Sequence, residues 1–253
     1  MGMRINELVV ELTRRCNVKC RHCLRGTAQA VDISKATIDK LLEGVDSICT
    51  VTFSGGEPSL AADKMAYFLK VLKARKISIE GFYVITNGKK PSLPMVHALM
   101  DLYAYASSWE KKDYCSLIIS GDQYHTEVIG STKEARDLYE ALSFFRPDER
   151  KEPITRVIAE GRATKWGHVP ADRNELIIGR ARSGEIKHDE GVIYINALGD
   201  LIPSCNVSYK TQEKIKIGNV NDKPIPDILR QYIDPDKDEM MEETIPDELQ
   251  EAA

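Results

Sequence analysis

The sequence predicts an α/β fold in which parallel strands are joined by helical crossovers. Strand-like apolar runs alternate with stretches of 3.6-residue apolar period through most of the 253 residues. Turn signals separate the runs at the spacing of βαβ units. Hydrophobic residues at 42% and charged residues at 29% describe an ordinary globular chain, long enough to bury a core without disulfide staples. Right-handed crossovers then coil the units into an open sheet or a full or partial barrel.

The first strand is read at Leu8–Leu12. Asp32 offers an N-cap to a helix whose stripe is Ile38, Leu41, Leu42 and Val45. A second strand spans Ile48–Phe53, and Ser59 is placed to cap a helix burying Met65, Phe68, Leu69 and Leu72. A third strand, Gly81–Thr86, precedes a helix with Val96, Leu99, Met100 and Tyr103 on one face. The fourth strand is Tyr114–Ser120. Ser131 and Glu134 form a capping box for a helix burying Ala135, Leu138, Leu142 and Phe145. A fifth strand is expected at Ile154–Ala159, with a helix near Asn174–Ala181. Val192–Asn196 and Leu201–Ser204 form a hairpin turning at Gly199-Asp200.

No apolar run reaches the roughly 20 residues of a membrane span, and the N-terminus lacks a secretory h-region, so the expected location is cytoplasmic. Six cysteines in a reducing compartment point to metal or redox chemistry before disulfides. The net charge is −4, yet the stretch 234–253 holds nine acidic residues against Lys237. It carries −8 and leaves about +4 on the rest; it reads as a solvated or loosely docked acidic tail. No basic stripe interleaved with aromatics suggests nucleic-acid binding.

Directly after the first strand comes Cys16-Asn17-Val18-Lys19-Cys20-Arg21-His22-Cys23, a C-x3-C-x2-C loop. A loop this tight wraps three thiolates around one metal centre and leaves a fourth position without a protein ligand. On a four-iron cluster that position is an open iron; the alternative is a structural zinc, for which a fourth ligand would be needed.

Cys16, Cys20 and Cys23 resemble the C-x3-C-x-Φ-C signature of the radical S-adenosylmethionine (SAM) superfamily, with His22 where an aromatic residue often stands. Four landmarks at successive strand ends extend the resemblance over roughly residues 6–165. Ser54-Gly55-Gly56-Glu57-Pro58 is similar to the family's GGE motif, whose glycines let a backbone approach a ligand closely. Thr86-Asn87-Gly88 is similar to its strand-end TNG, Ser120-Gly121-Asp122 ends the fourth strand, and Gly161-Arg162-Ala163 follows the fifth.

The resemblance implies a partial (β/α)6-type radical SAM barrel with a short C-terminal hairpin extension, its site at the carboxyl ends of the strands. It implies a [4Fe-4S] cluster on the three cysteines, with S-adenosyl-L-methionine bound at the open iron. SAM contacts are expected from His22, Gly55, Gly56, Glu57, Asn87, Ser120, Asp122 and Arg162. Each has a plainer alternative: Gly-Gly-Glu-Pro and Asn-Gly are common turns, Asp122 suits an Asx-turn, and Arg162 suits an ion pair. Tyr124 and His125 share the mouth as candidate catalytic residues, His125 as a proton donor or acceptor to substrate or else a surface residue. Arg14, Arg15, Lys19, Arg21 and Arg25 surround the cysteines and suit an acidic electron donor such as flavodoxin, or form a solvated basic loop.

Further on, Gly199–Cys205 and Ile217-Gly218-Asn219-Val220 resemble the opening of a SPASM or twitch extension, from which auxiliary-cluster cysteines are missing. Cys205 is a plain thiol, a hydrogen donor to a substrate radical, or a remnant of that motif. Cys49 and Cys115 read as core thiols. The expected division is a radical SAM core over 1–185, the extension over 186–233 and the acidic tail over 234–253. The activity expected is radical modification of a peptide or small molecule. Alternatives are an activase for a glycyl-radical enzyme and a non-catalytic zinc or iron–sulfur module.

Overall fold

The computed structural model describes residues 2–107, 111–147, 152–180, 186–188 and 191–232; the acidic tail lies outside them. In chain order the elements are β1 (Met3–Thr13), α1 (Lys35–Leu41), β2 (Val45–Gly55), α2 (Ala62–Arg75), β3 (Ser78–Thr86), α3 (Leu93–Tyr105), α4 (Lys111–Tyr114) and β4 (Cys115–Ile119). Then follow α5 (Gln123–Ile129), α6 (Lys133–Tyr139), β5 (Phe145–Arg146), β6 (Gly179–Arg180), β7 (Ile186–Lys187), β8 (Ile193–Ile195), β9 (Asp200–Ile202), α7 (Tyr209–Ile215), β10 (Gly218–Asn219) and α8 (Ile225–Tyr232).

One sheet runs in the order β10-β9-β8-β1-β2-β3-β4-β5, and β6 and β7 form a separate ribbon. From β8 to β5 every neighbouring pair is parallel. The sheet is thus an open, partial barrel, as expected. Its sixth parallel strand is β8, the first arm of the predicted hairpin, which pairs with β1 through Leu8↔Ile193, Val9↔Tyr194 and Val10↔Ile195. The hairpin therefore continues the core sheet.

Alternation sorts the faces of β1. Leu8, Val10 and Leu12 are fully buried against the helical layer, where they meet Ile38, Phe53, Phe68, Leu72, Leu99 and Leu102. Val9 faces the other way and packs on Tyr194, Ile202 and Val207.

Several local expectations give way, each to a specific hydrogen bond. Ser34, not Asp32, caps α1 by accepting from Thr37 N at 2.9 Å. Asp32 is occupied by Thr13 and Arg15. Glu57 rather than Ser59 caps the Pro58–Ala61 turn that leads into α2. No side chain caps α6: Ser131 Oγ accepts from Lys133 N, and the helix stops at Tyr139, so Phe145 lies in β5 instead. Met100 is 52% exposed; Ala98 and Leu102 take the inner positions of α3.

The fifth strand is at Phe145–Arg146, and 154–159 forms no strand beyond a bridge from Ile158 to Val169. The Gln123 side-chain amide bonds both Ile154 N and Ile154 O, which commits that backbone to α5 rather than to a sheet neighbour. No helix forms over residues 174–180. Glu175 is instead tied to the turn at 204–206 through Ser204, Cys205 N and Asn206. Ala181 lies outside the described residues.

Candidate active site

A cavity of about 350 Å³ opens at the carboxyl ends of β1 to β4. Cys16, Cys20 and Cys23 line it together with His22, Gly55, Gly56, Glu57, Asn87, Ser120, His125 and Arg162. Converging strand ends thus gather residues as far apart as Cys16 and Ser120, and the 161–163 turn, which follows no strand, adds Arg162.

The cysteine loop is held from several sides. Gly55 and Gly56 press against its stem: a Cβ on Gly55 would meet Thr13 O at 2.5 Å, and one on Gly56 would collide with Arg15 O. These glycines are needed for chain packing as much as for ligand approach. Gly161, with φ of 57°, lies so close to the carbonyls of Cys23 and Leu24 that no side chain fits there. Arg162 N then donates to Cys23 O at 2.9 Å, and its guanidinium reaches Cys20 O at 3.5 Å. The Asn87 amide donates to Asn17 Oδ1 at 2.8 Å and comes within 3.9 Å of Cys16 Sγ.

Glu57 is 1% exposed, and its carboxylate accepts from Thr86 Oγ1 at 2.6 Å, Asn87 N at 2.8 Å and Ser59 N at 3.1 Å. Its carboxylate braces the Thr86-Asn87-Gly88 turn; it faces these donors rather than standing free for a ligand. Asp122 is likewise a brace. It caps α5 through Tyr124 N and His125 N and bonds His125 Nδ1 at 2.6 Å. Burial alone would raise the Asp122 carboxyl and lower the His125 imidazole. The bond between them outweighs burial, so the carboxyl falls to about 2, and the same bond together with Cys20 raises the His125 imidazole to about 9.

His125 lines the cavity. Tyr124 does not: it is buried behind His22, with ring centroids 4.6 Å apart in a stack, and Arg21 lies over it at 4.8 Å. Cys205 is also outside the cavity. It packs beside Val9, Tyr194, Ile202 and Val207. Burial and the neighbouring Glu175 push its thiol up to about 12, so it is a protonated thiol. Cys115 is fully buried as expected, but Cys49 is half-buried, with Arg4 donating to its sulfur at 3.1 Å.

Of the five basic residues around the loop, Arg14 is turned inward. It is 1% exposed and bonds Glu11 at 2.7 Å, Gln29 at 3.0 Å and Gln212 at 2.7 Å, with Tyr209 packed on its guanidinium. Arg15 is paired with Asp32, and Arg25 donates to Val207 O and lines the cavity. Tyr209, on α7, closes the cavity from the C-terminal side. Sequence reasoning missed the Glu11–Arg14–Gln212 group and Tyr209. A charged pair three residues apart at a strand end is visible in the sequence, but its partners lie some 200 positions away.

The donor set suits a metal centre that brings positive charge. Burial raises the Cys16 thiol, and Glu57, Cys23 and Cys20 raise it further. Three adjacent thiolates are disfavoured unless a cation compensates them. Three soft sulfur ligands on one loop fit an iron–sulfur cluster, leaving one coordination position for another molecule.

The fold and this site place three thiols at the mouth of a partial α/β barrel. Residues 10–107 match the family model described as the Radical SAM superfamily. No curated protein matches the sequence. Among solved structures, native anSMEcpe with bound AdoMet and Cp18Cys peptide aligns with 94% of this chain and 82% of its own, at a TM-score of 0.54 and 11% identity. BtrN in complex with AdoMet and 2-DOIA aligns with 90% and 83%, at 0.50 and 16%. SuiB of Streptococcus suis bound to precursor peptide SuiA aligns with 91% and 65%, at 0.54 and 17%. At such identities the likeness is one of fold. Among the described residues no helix is long and apolar enough to cross a membrane.

Proposed function

We propose that Cys16, Cys20 and Cys23 hold a [4Fe-4S] cluster and that the cavity takes S-adenosyl-L-methionine beside it. The observation that carries this is the convergence of the three cysteines with Gly55, Gly56, Asn87, Ser120, His125 and Arg162 on one cavity. A cluster held by these cysteines would supply one electron for cleavage of the 5′ carbon–sulfur bond of SAM, releasing methionine and leaving an adenosyl fragment able to take a hydrogen atom from substrate. The chain's own residues bind and orient. Backbone carbonyls at Gly55 and Gly56 receive the methionine ammonium, Arg162 its carboxylate, and Ser120 a ribose hydroxyl. The backbone at His22 meets the adenine, and Tyr124 supports the His22 ring. His125, held by Asp122, presents a proton at Nε2 to the bound molecules.

The substrate is a peptide or a small molecule. Support for a peptide comes from the fold shared with anSMEcpe and SuiB, which are seen with peptides; BtrN is seen with the small molecule 2-DOIA. The stretch 186–233 is read as a reduced SPASM- or twitch-like extension without an auxiliary cluster. Exposed Lys19, with Arg21 already paired to Glu127 beside it, is the basic group best placed to meet an acidic electron donor such as flavodoxin.

A zinc reading has one observation in its favour: Cys20 Sγ and ring nitrogens of His22 and His125 lie within 4.8 Å of one another. Anaerobic reconstitution separates the two. The cluster reading expects about four iron and four sulfide per chain and SAM-dependent release of 5′-deoxyadenosine. Stoichiometric zinc without SAM cleavage would overturn it.

A further inference from the structure

A second cavity, of about 460 Å³, lies beside the first. Ser120 and His125 line both, so the two chambers share a wall at the end of β4. The rest of the second chamber is built by the end of α5, the turn at 130–132 and the first turn of α6. Its charged residues other than His125 are Lys133 and Arg136, and no carboxylate lines it. Lys133 is held by Asp137 on the exposed side of α6 at 2.5 Å.

Arg136 is half-buried, and its guanidinium makes no hydrogen bond or ion pair among the described residues. Ser131 Oγ accepts from Lys133 N, which leaves its own hydrogen to donate. A half-buried guanidinium with no partner among the described residues is one to which a planar anion can supply bidentate bonds. Lys133 is already paired with Asp137, so Arg136, with no carboxylate in the lining, sets the sign of the ligand.

We infer that this second cavity binds a carboxylate or phosphate group of the molecule on which the enzyme acts. The reacting part of that molecule lies across the Ser120–His125 wall, in the first cavity. This rests on the proposal that the first cavity takes SAM. Arg162 serves the SAM carboxylate there, so the anion at Arg136 is a different one.

The test is isothermal titration of the reconstituted chain with succinate and with inorganic phosphate, each with and without saturating SAM. One equivalent of anion is expected to bind whether or not SAM is present, and the better ligand identifies carboxylate or phosphate as the group. Arg136→Gln should weaken it at least about tenfold, with an unchanged thermal midpoint showing that the variant folds. Arg136→Lys should recover part of the affinity, because it keeps the charge but not the fork. Absence of anion binding, equal affinity in Arg136→Gln, or displacement of the anion by SAM would each overturn the inference. Failure of SAM itself to bind in the same titrations would instead count against the proposed function, so the two readings fail separately.

Discussion

Glu57 lies next to the two glycines that press on the cysteine loop, and three donors converge on its buried carboxylate. Glu57→Gln keeps the shape but replaces a charged acceptor, so it should cost about 1.5–3 kcal/mol, read by urea unfolding. Iron loading should fall with it, because the turn it braces carries Asn87, which bonds the loop at Asn17. Gly56→Ala should destabilise by about 1–3 kcal/mol, since its Cβ meets the Arg15 carbonyl rather than open space. At this scale the grouping of the cysteines was legible because their spacing is local, and the structure brings all three to one cavity. The bonds of Glu57 and Asp122, both expected to contact SAM, were not legible: they brace the Thr86–Gly88 turn and the start of α5.

Between elements, Arg14 joins the end of β1 to α7. Replacing it with methionine leaves Glu11 buried without its cation and should cost about 3–5 kcal/mol, checked by thermal and denaturant unfolding. Asp32 pins the same loop from outside through Arg15 and Thr13. Burial works against its ionisation, but those two bonds outweigh it and hold the carboxyl below its ordinary value near ~4. A depressed carboxylate contributes stability above that unfolded value and loses it as pH falls through the lower folded value. Asp32→Asn should therefore cost no more than about 1 kcal/mol at pH 7, and the gap from wild type should close below about pH 4, as unfolding across a pH series would show. Strands β1 to β4 and the hairpin were readable from apolar runs and turn chemistry. β5 and the segment after it were not, because Gln123 and Glu175 capture backbone that a periodicity argument leaves free.

Across the whole molecule, the sheet takes its sixth parallel strand from the hairpin near the C-terminus, beside β1. The sequence pointed to the hairpin but not to its place, since strand order depends on pairing across some 185 positions. Truncation after residue 191 would strip β1 of its neighbour and expose Val9, so the shortened chain is expected to aggregate or lose a cooperative melt, as scattering and calorimetry would show. On the proposed function, the cavity between the core and α7 would hold SAM against a cluster with one open iron. Electron paramagnetic resonance of the anaerobically reconstituted, dithionite-reduced protein tests this most directly. The account predicts a [4Fe-4S] signal that changes on adding SAM and is lost when Cys16, Cys20 or Cys23 is replaced by alanine. A signal indifferent to SAM, or no iron signal in a zinc-loaded protein, would contradict it.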